Sequence, residues 1–213
     1  MGYRLLSRFE NNETEIYLLG SLHHMHNNLP YFGYQHLRAA LLNLNPDVLL
    51  IESRQEEIER GNLADGPLEM FYLHMSAIEL GIPVKGVDWI SYNESKPGST
   101  NKVRDGKIHN CILKYSAGHQ KVLVVIGATH MLIEAKKLNK QGYVKLKIQN
   151  PELDYIFRTN EINSHFPDET SKYLDIRIER EKEVLDIRDL DDKWYNATKR
   201  VIDDLEHFKS KIS

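Results

Sequence analysis

The sequence predicts an α/β fold with three layers, in which helices flank a mostly parallel sheet. Short apolar runs alternate with stretches of helical periodicity between residues 15 and 148. This order is typical of parallel strands joined by crossover helices. The runs at residues 48–51 and 122–126 are apolar throughout, as expected for strands covered on both faces.

The other elements follow from the same two periodicities. Residues 3–9 and 15–19 predict strands, and the asparagine-rich residues 10–13 between them indicate an antiparallel N-terminal hairpin. Further short strands are predicted at residues 84–88 and 143–148. Helices are predicted around residues 37–44, 67–80, 103–115 and 131–138, with an exposed loop at residues 93–100.

The character of the chain changes after Pro151. Residues 1–150 form the predicted α/β core, whereas residues 151–213 are rich in charge, with sparse apolar positions at helical spacing. So few apolar residues would make a poor core alone. We therefore expect a helical extension packed on the core, in a single domain overall. The pattern leaves open whether the extension forms a homodimer contact or covers a pocket.

Composition limits the partners of the chain. Its 28 basic and 31 acidic residues form no long block of one sign, which argues against nucleic acid as a partner. The single cysteine, Cys111, excludes an intrachain disulfide, and no apolar run has the length of a signal sequence or a membrane span. We expect a cytoplasmic protein without membrane association that acts on a small molecule or a peptide.

Four ionisable residues stand at predicted strand ends. A Gly-x-x-His motif occurs twice, each time directly after an apolar strand, and ends in His23 and in His130. Glu52 and Asp88 follow two further strands. The carboxyl ends of neighbouring parallel strands share one edge of a sheet, so these side chains are expected to converge there.

The residues around the first motif have several interpretations. We expect Gly20 and Gly127 to let the chain turn sharply as it leaves each strand. His24 points to the other side of an extended chain from His23, which favours a packing role. His26 either shares a metal ion with His23 or lies in a solvated loop.

Imidazole and carboxylate groups at one edge favour metal-assisted hydrolysis. Such ligands suit zinc, manganese, cobalt or iron, and a bound ion can turn water into a hydroxide nucleophile near neutral pH. Asp88 could be a ligand, a general base or a strand-end cap. Arg104 and Asp105 could form an exposed ion pair at a helix start; alternatively, Arg104 binds a substrate carboxylate or an oxyanion through its planar fork.

Residues 14–148 resemble the Tiki/TraB (pheromone shutdown) and erythromycin esterase/ChaN-like superfamily. The resemblance depends on the two Gly-x-x-His motifs, the strand that ends at Glu52, and Arg104-Asp105 before a helix. Tiki proteins are metal-dependent proteases and ChaN-like members bind haem iron. Erythromycin esterases have a glutamate where this chain has Ser21, which disfavours macrolide ring opening.

The resemblance implies roles for individual residues. His23, Glu52, Asp88 and His130 become the predicted ligands of a divalent ion such as manganese, cobalt or zinc. Catalysis is assigned to Glu52, Arg104 and His130, and substrate binding to Arg104 and Asp105.

Three functions compete. The first is a metal-dependent hydrolase of the peptidase or amidase type, in which the histidines and Glu52 hold an ion or activate water. The second is a non-catalytic protein that binds haem or an anionic small ligand in the same pocket. The third is an inactive scaffold with structural histidines.

Overall fold

A computed structural model describes residues 5–27, 29, 32–62, 65–89, 102–159, 162, 166–186 and 192–212. The predicted loop at residues 93–100 lies outside these ranges. One six-stranded sheet has the order β4-β3-β5-β2-β1-β6. Its strands are β1 (Leu6–Glu10), β2 (Glu15–Ser21), β3 (Val48–Arg54), β4 (Val84–Asp88), β5 (Lys121–Gly127) and β6 (Val144–Leu146).

The predicted fold class is confirmed. Strands β2, β3, β4 and β5 run parallel, and β1 forms the antiparallel N-terminal hairpin with β2. A 3-10 helix (His23–Asn27) follows β2. The α-helices are α1 (Tyr34–Leu44), α2 (Gln55–Glu59), α3 (Leu68–Glu79), α4 (Lys102–Ser116), α5 (Ala128–Lys140), α6 (Pro151–Ile156), α7 (Thr170–Leu185) and α8 (Asp192–Ile212).

Helices cover both faces of the sheet because the strand side chains alternate between two cores. In β2, Tyr17 and Leu19 pack with residues of α1, α3 and α6, whereas Ile16 and Leu18 pack with residues of α4 and α5. This alternation is the period-2 pattern of a strand. It buries β2 between two helical layers and explains why the central strands are apolar throughout.

The register of the central strands brings the two motif loops together. Strand β5 lies between β2 and β3, and Ser21 of β2 is opposite Gly127 of β5. The chain therefore leaves both strands at the same height on one edge of the sheet. Val48 to Ile51 of β3 pair with Val122 to Val125 of β5, which brings the end of β3 to that edge too.

The extension beyond Pro151 packs on the core through a third apolar cluster. Tyr173 of α7 stacks on Phe71 of α3, with ring centroids 4.3 Å apart, and Phe208 of α8 lies against Tyr34 of α1. Helix α6 was not predicted, although Asn150 caps it and Pro151 occupies its first turn, which is a common helix start. Within the described ranges, no helix combines the length and apolarity needed to cross a membrane.

Candidate functional site

A cavity of about 800 Å³ opens at the carboxyl edge of the sheet. His23, Glu52, Asp88 and Arg104 line it from the core side. Helices α7 and α8 line it from the other side, with Arg177, Arg180, Glu181, Glu183, Val184, Val201 and Leu205. The extension therefore covers this pocket. A volume of this size is typical of small-molecule sites.

Arg104 of α4 joins the strand ends by hydrogen bonds. Its Nε and Nη2 donate to the Asp88 carboxylate at 2.8 and 2.9 Å, and Nη2 also donates to Glu52 Oε1 at 2.9 Å. Nη1 lies 3.1 Å from His130 Nε2. Four of the five guanidinium N–H groups are therefore engaged within the protein, so Arg104 has no free fork for a substrate and the exposed ion pair with Asp105 does not form.

The tautomer of His130 follows from its two partners. An arginine can only donate, so His130 Nε2 accepts from Arg104, and the ring proton lies on Nδ1. Nδ1 is 2.7 Å from Asp105 Oδ1 and donates to it. His130 and Asp105 are both buried and do not line the cavity. Asp105 was predicted to bind substrate, but its buried carboxylate faces His130 and not the cavity.

Both carboxylate oxygens of Glu52 are fixed. Oε1 accepts from Arg104, and Oε2 accepts from the backbone N–H of Gly127 at the end of β5. His130 Nε2 lies 3.7 Å from Glu52 Oε1. Glu52 is only 4% exposed, so this buried carboxylate depends on these donors for its solvation.

His23 differs from the other groups because one of its nitrogens faces the cavity. Nδ1 lies 2.8 Å from Oε1 of Glu69 on α3, and Ser21 Oγ donates to the same oxygen at 2.6 Å. Glu69 is completely buried, whereas the His23 side chain is 44% exposed. Within the described residues, His23 Nε2 has no hydrogen-bond partner. His23 also has a backbone φ of 51°, a conformation that is uncommon outside glycine and concentrated at functional sites.

Pairing shifts the pKa of both groups. Burial alone would lower the pKa of His23, but the hydrogen bond and the charge of Glu69, together with the charge of Glu52, raise it to about 9. Burial alone would raise the pKa of Glu69, but its contacts with His23 lower it to about 2. The pair is therefore an imidazolium and a carboxylate at neutral pH.

The two motif glycines let neighbouring atoms approach their Cα atoms closely. They are not required for a turn, so the predicted reason for them is wrong. Neither has a positive φ. A Cβ atom on Gly127 would lie 2.9 Å from His23 Nε2 and 3.2 Å from Glu52 Oε2. A Cβ atom on Gly20 would lie 3.1 Å from Ala128 Cα. Gly127 thus lets His23 and Glu52 approach the same point.

Sequence reasoning missed Glu69, although a signal was present. Glu69 precedes Leu73 by four residues and Ala77 by eight, so it lies on the apolar face of α3. An acidic residue on a buried helix face requires a partner. Only the fold shows that this partner is His23, 46 residues earlier in the chain.

His26 does not face the cavity. Its Nε2 accepts from the backbone N–H of Leu22 at 2.9 Å, and its Nδ1 donates to the Phe32 carbonyl at 2.6 Å. Burial lowers the pKa of His26. Through its two backbone hydrogen bonds, the neutral ring fixes the segment that carries His23. The solvated-loop alternative for His26 is therefore wrong, and both ring nitrogens are bonded to the backbone in this arrangement. The side chain of His24 lies outside the described part of the structure.

The predicted ligands do not fit one metal ion in this arrangement. Arg104 supplies the positive charge between Glu52 and Asp88 and blocks the lone pair of His130 Nε2. Asp88 Oδ1 also accepts from the backbone N–H of Trp89, so it caps the strand end as well. Among the residues that the structure describes, no group of three or more His, Cys, Asp or Glu side chains has the geometry to hold a metal ion.

Comparison of the chain with protein-family models, curated proteins and solved structures finds no match in any of the three. Membership of the Tiki/TraB and erythromycin esterase/ChaN-like superfamily therefore stays a prediction based on the motif residues.

Proposed function

We propose that the chain is a hydrolase of ester or amide bonds, of the peptidase or amidase type, in which His23 activates water. The observation that supports this most is the His23 imidazole, which is bonded through Nδ1 to a buried carboxylate and presents Nε2 to a cavity. This is the arrangement in which a carboxylate orients a histidine base. The superfamily resemblance, with its paired Gly-x-x-His motifs, points to the same class.

In the proposed reaction, His23 acts in its neutral form, which becomes populated as the pH approaches its pKa of about 9. Neutral His23 removes a proton from water through Nε2 while the water oxygen attacks the carbonyl carbon. Glu69 keeps the ring proton on Nδ1 and stabilises the imidazolium that forms. The tetrahedral intermediate then collapses, and His23 Nε2 returns the proton to the departing oxygen or nitrogen. No covalent acyl-enzyme is required, since the hydroxyl of Ser21 is buried and donates to Glu69.

Arg104, Glu52 and His130 act together beside His23 at the strand ends. Glu52 has lone pairs left to orient the attacking water, because each oxygen accepts one N–H from its closest donor. The remaining Nη1–H of Arg104 and the N-terminus of α5, which begins just after Gly127, offer positive charge to the developing oxyanion. His130 does not touch the substrate; it holds Arg104.

Hydrolysis of a panel of p-nitrophenyl esters and p-nitroanilides by the purified protein tests the proposal. We expect turnover that is lost in His23→Gln and kept in His207→Gln, a matched control at an exposed position on α8. Absence of turnover across the panel, or equal activity of His23→Gln, would contradict the hydrolase. Binding of an anionic ligand or haem without turnover would favour a binding protein instead.

The same preparation tests the predicted divalent ion. The metal content is measured by mass spectrometry, and the activity is measured after dialysis against a chelator and after addition of manganese, cobalt or zinc. Activity that persists without metal would agree with the role of Arg104 as the cation between Glu52 and Asp88. A stoichiometric ion required for activity would mean that Arg104 leaves this position in the working enzyme.

A further inference from the structure

Helix α7 presents a row of side chains to the cavity that His23 also lines. Arg177 lies three and four residues before Arg180 and Glu181, which lie four and three residues before Val184, and all four line the cavity. Glu183 of the same helix lines it as well. These residues belong to the extension, outside the motifs that suggested the site. They are placed to contact the part of a substrate that lies away from the bond being cleaved.

The arginines that line the cavity differ in how much of their hydrogen-bonding capacity is used. Arg54 donates through Nε and Nη2 to Asp65, and Arg104 is held by Asp88, Glu52 and His130. Both are committed to the protein. Arg177 instead makes one ion pair within the described residues, from Nη2 to Glu181 Oε1 at 2.6 Å.

The partner of Arg177 in this ion pair, Glu181, is a neighbour on the same helix. An i,i+4 pair of this kind is weak when part of it faces solvent, and the Arg177 side chain is 27% exposed. A guanidinium with most of its N–H groups available and one weak partner is suited to bind a carboxylate by two parallel hydrogen bonds. The other acidic side chains at the core side of the cavity, Glu52, Asp65 and Asp88, are already bonded to arginines.

An apolar strip lies beside these arginines. Val184 of α7, Val201 and Leu205 of α8, and Leu68 of α3 line the same cavity. Methylene groups would be favoured there because they would be removed from water. The same cavity is thus lined by His23, by apolar side chains and by a guanidinium of α7 whose hydrogen-bonding capacity is only partly used within the described residues.

We propose that Arg177 forms a subsite for a carboxylate at the far end of the substrate. The substrate class is then an ester or amide whose short aliphatic acyl chain ends in a carboxylate. This inference rests on the proposed hydrolase. It gives α7 the role of selecting the substrate, whereas the strand ends carry out the reaction.

Two esters of equal chain length test the subsite: mono-p-nitrophenyl glutarate, which ends in a carboxylate, and p-nitrophenyl pentanoate, which ends in a methyl group. We expect a KM about tenfold lower for the glutarate ester, as for a hydrogen bond between charged groups. Arg177→Gln should remove this preference with little change in kcat. Lys172→Gln, at an exposed position on the same helix, should leave it unchanged.

Glu181→Gln distinguishes anion binding from support of the helix. Loss of the Glu181 charge frees Arg177, so the KM for the glutarate ester should fall about twofold to threefold if Arg177 binds the carboxylate. If Arg177 and Glu181 only stabilise α7, both substitutions should weaken binding. Equal KM values for the two esters, or the same direction of change in both variants, would overturn the subsite.

Binding to a protein that cannot turn over separates this inference from the proposed hydrolase. Calorimetry on His23→Gln measures the Kd of the monoanilide of glutaric acid and of pentananilide. Tighter binding of the anionic anilide that is lost on adding Arg177→Gln would uphold the subsite, even if the wild-type protein hydrolyses neither ester. Equal binding of the two anilides, or no binding of either, would overturn it.

Discussion

The two Gly-x-x-His motifs produce the same pair of groups in two different settings. In each, a histidine donates through Nδ1 to a buried carboxylate, with His23 bonded to Glu69 and His130 to Asp105. The difference lies at Nε2, which faces a cavity in His23 but accepts a hydrogen bond from Arg104 in His130. The first motif therefore supplies the proposed base, and the second holds an arginine.

The comparison is tested most strongly by replacing each of the two histidines with glutamine. Glutamine can still donate to the neighbouring carboxylate but cannot act as a base, so His23→Gln should lower kcat by about 10²- to 10⁴-fold. His130→Gln should cost much less, since its amide can still bond to both Asp105 and Arg104. Steady-state kinetics on the best p-nitrophenyl ester measures both effects. Equal losses would mean that the second motif is reactive as well.

Arg104 joins His130 of the second motif to Glu52 and Asp88. Replacing Arg104 should therefore have a large effect on stability. Arg104→Met leaves the carboxylates of Glu52 and Asp88 buried without their cation, which should lower the free energy of unfolding by about 3–5 kcal/mol. Urea denaturation followed by circular dichroism measures it. Arg158→Met removes a largely exposed ion pair with Asp154 and should change stability by less than about 1 kcal/mol. A similar change in both variants would show that Arg104 does not stabilise the buried carboxylates.

The first motif predicts a dependence on pH. Since Glu69 raises the pKa of His23 to about 9, activity that requires neutral His23 should rise as the pH approaches 9. In Glu69→Gln the charge is absent, so this rise should occur at lower pH. Titration of His23 by NMR measures both pKa values directly. An unchanged pKa in Glu69→Gln would contradict the pairing.

The same shift predicts how stability varies with pH. A raised folded-state pKa means that the pair stabilises the fold fully below the unfolded value, about 6.5 for histidine. This contribution is lost as the pH rises through about 9. The Tm of the wild-type protein should therefore fall between these values, and the Tm of Glu69→Gln should fall less over the same range.

The sheet could be predicted from sequence because apolar runs and helical periodicity are local patterns. The convergence of His23, Glu52, Asp88 and His130 at one edge also followed, since parallel strands share their carboxyl ends. Their hydrogen bonds could not be predicted. Arg104 finds its partners 16, 26 and 52 residues away, and no local pattern indicates which donor meets which acceptor.

The lining of the cavity by α7 and α8 could not be predicted from sequence for the same reason. The extension showed amphipathic helices but not which elements they contact. In the structure, α8 lies against the 3-10 helix that carries His23, and α7 lies against α3, which carries Glu69. The extension thus packs against the elements that carry the His23–Glu69 pair, whereas Arg104 links the second motif to Glu52 and Asp88.

The last comparison is between two glycines near the site, Gly127, where a methyl group would clash, and Gly106, where it would not. In Gly127→Ala, the added methyl group would lie 2.9 Å from His23 Nε2, which is closer than a Cβ atom normally approaches. The imidazole must therefore move, and kcat should fall about tenfold or more. Gly106 lies in α4 two residues after Arg104, and a Cβ atom added there would meet no atom within 4 Å outside its own helix turn. Gly106→Ala should keep full activity and stabilise the protein by about 0.5–1 kcal/mol, because alanine favours a helix. Thermal denaturation and kinetics on both variants measure the contrast, and an active Gly127→Ala protein would show that His23 and Glu52 need not approach this point.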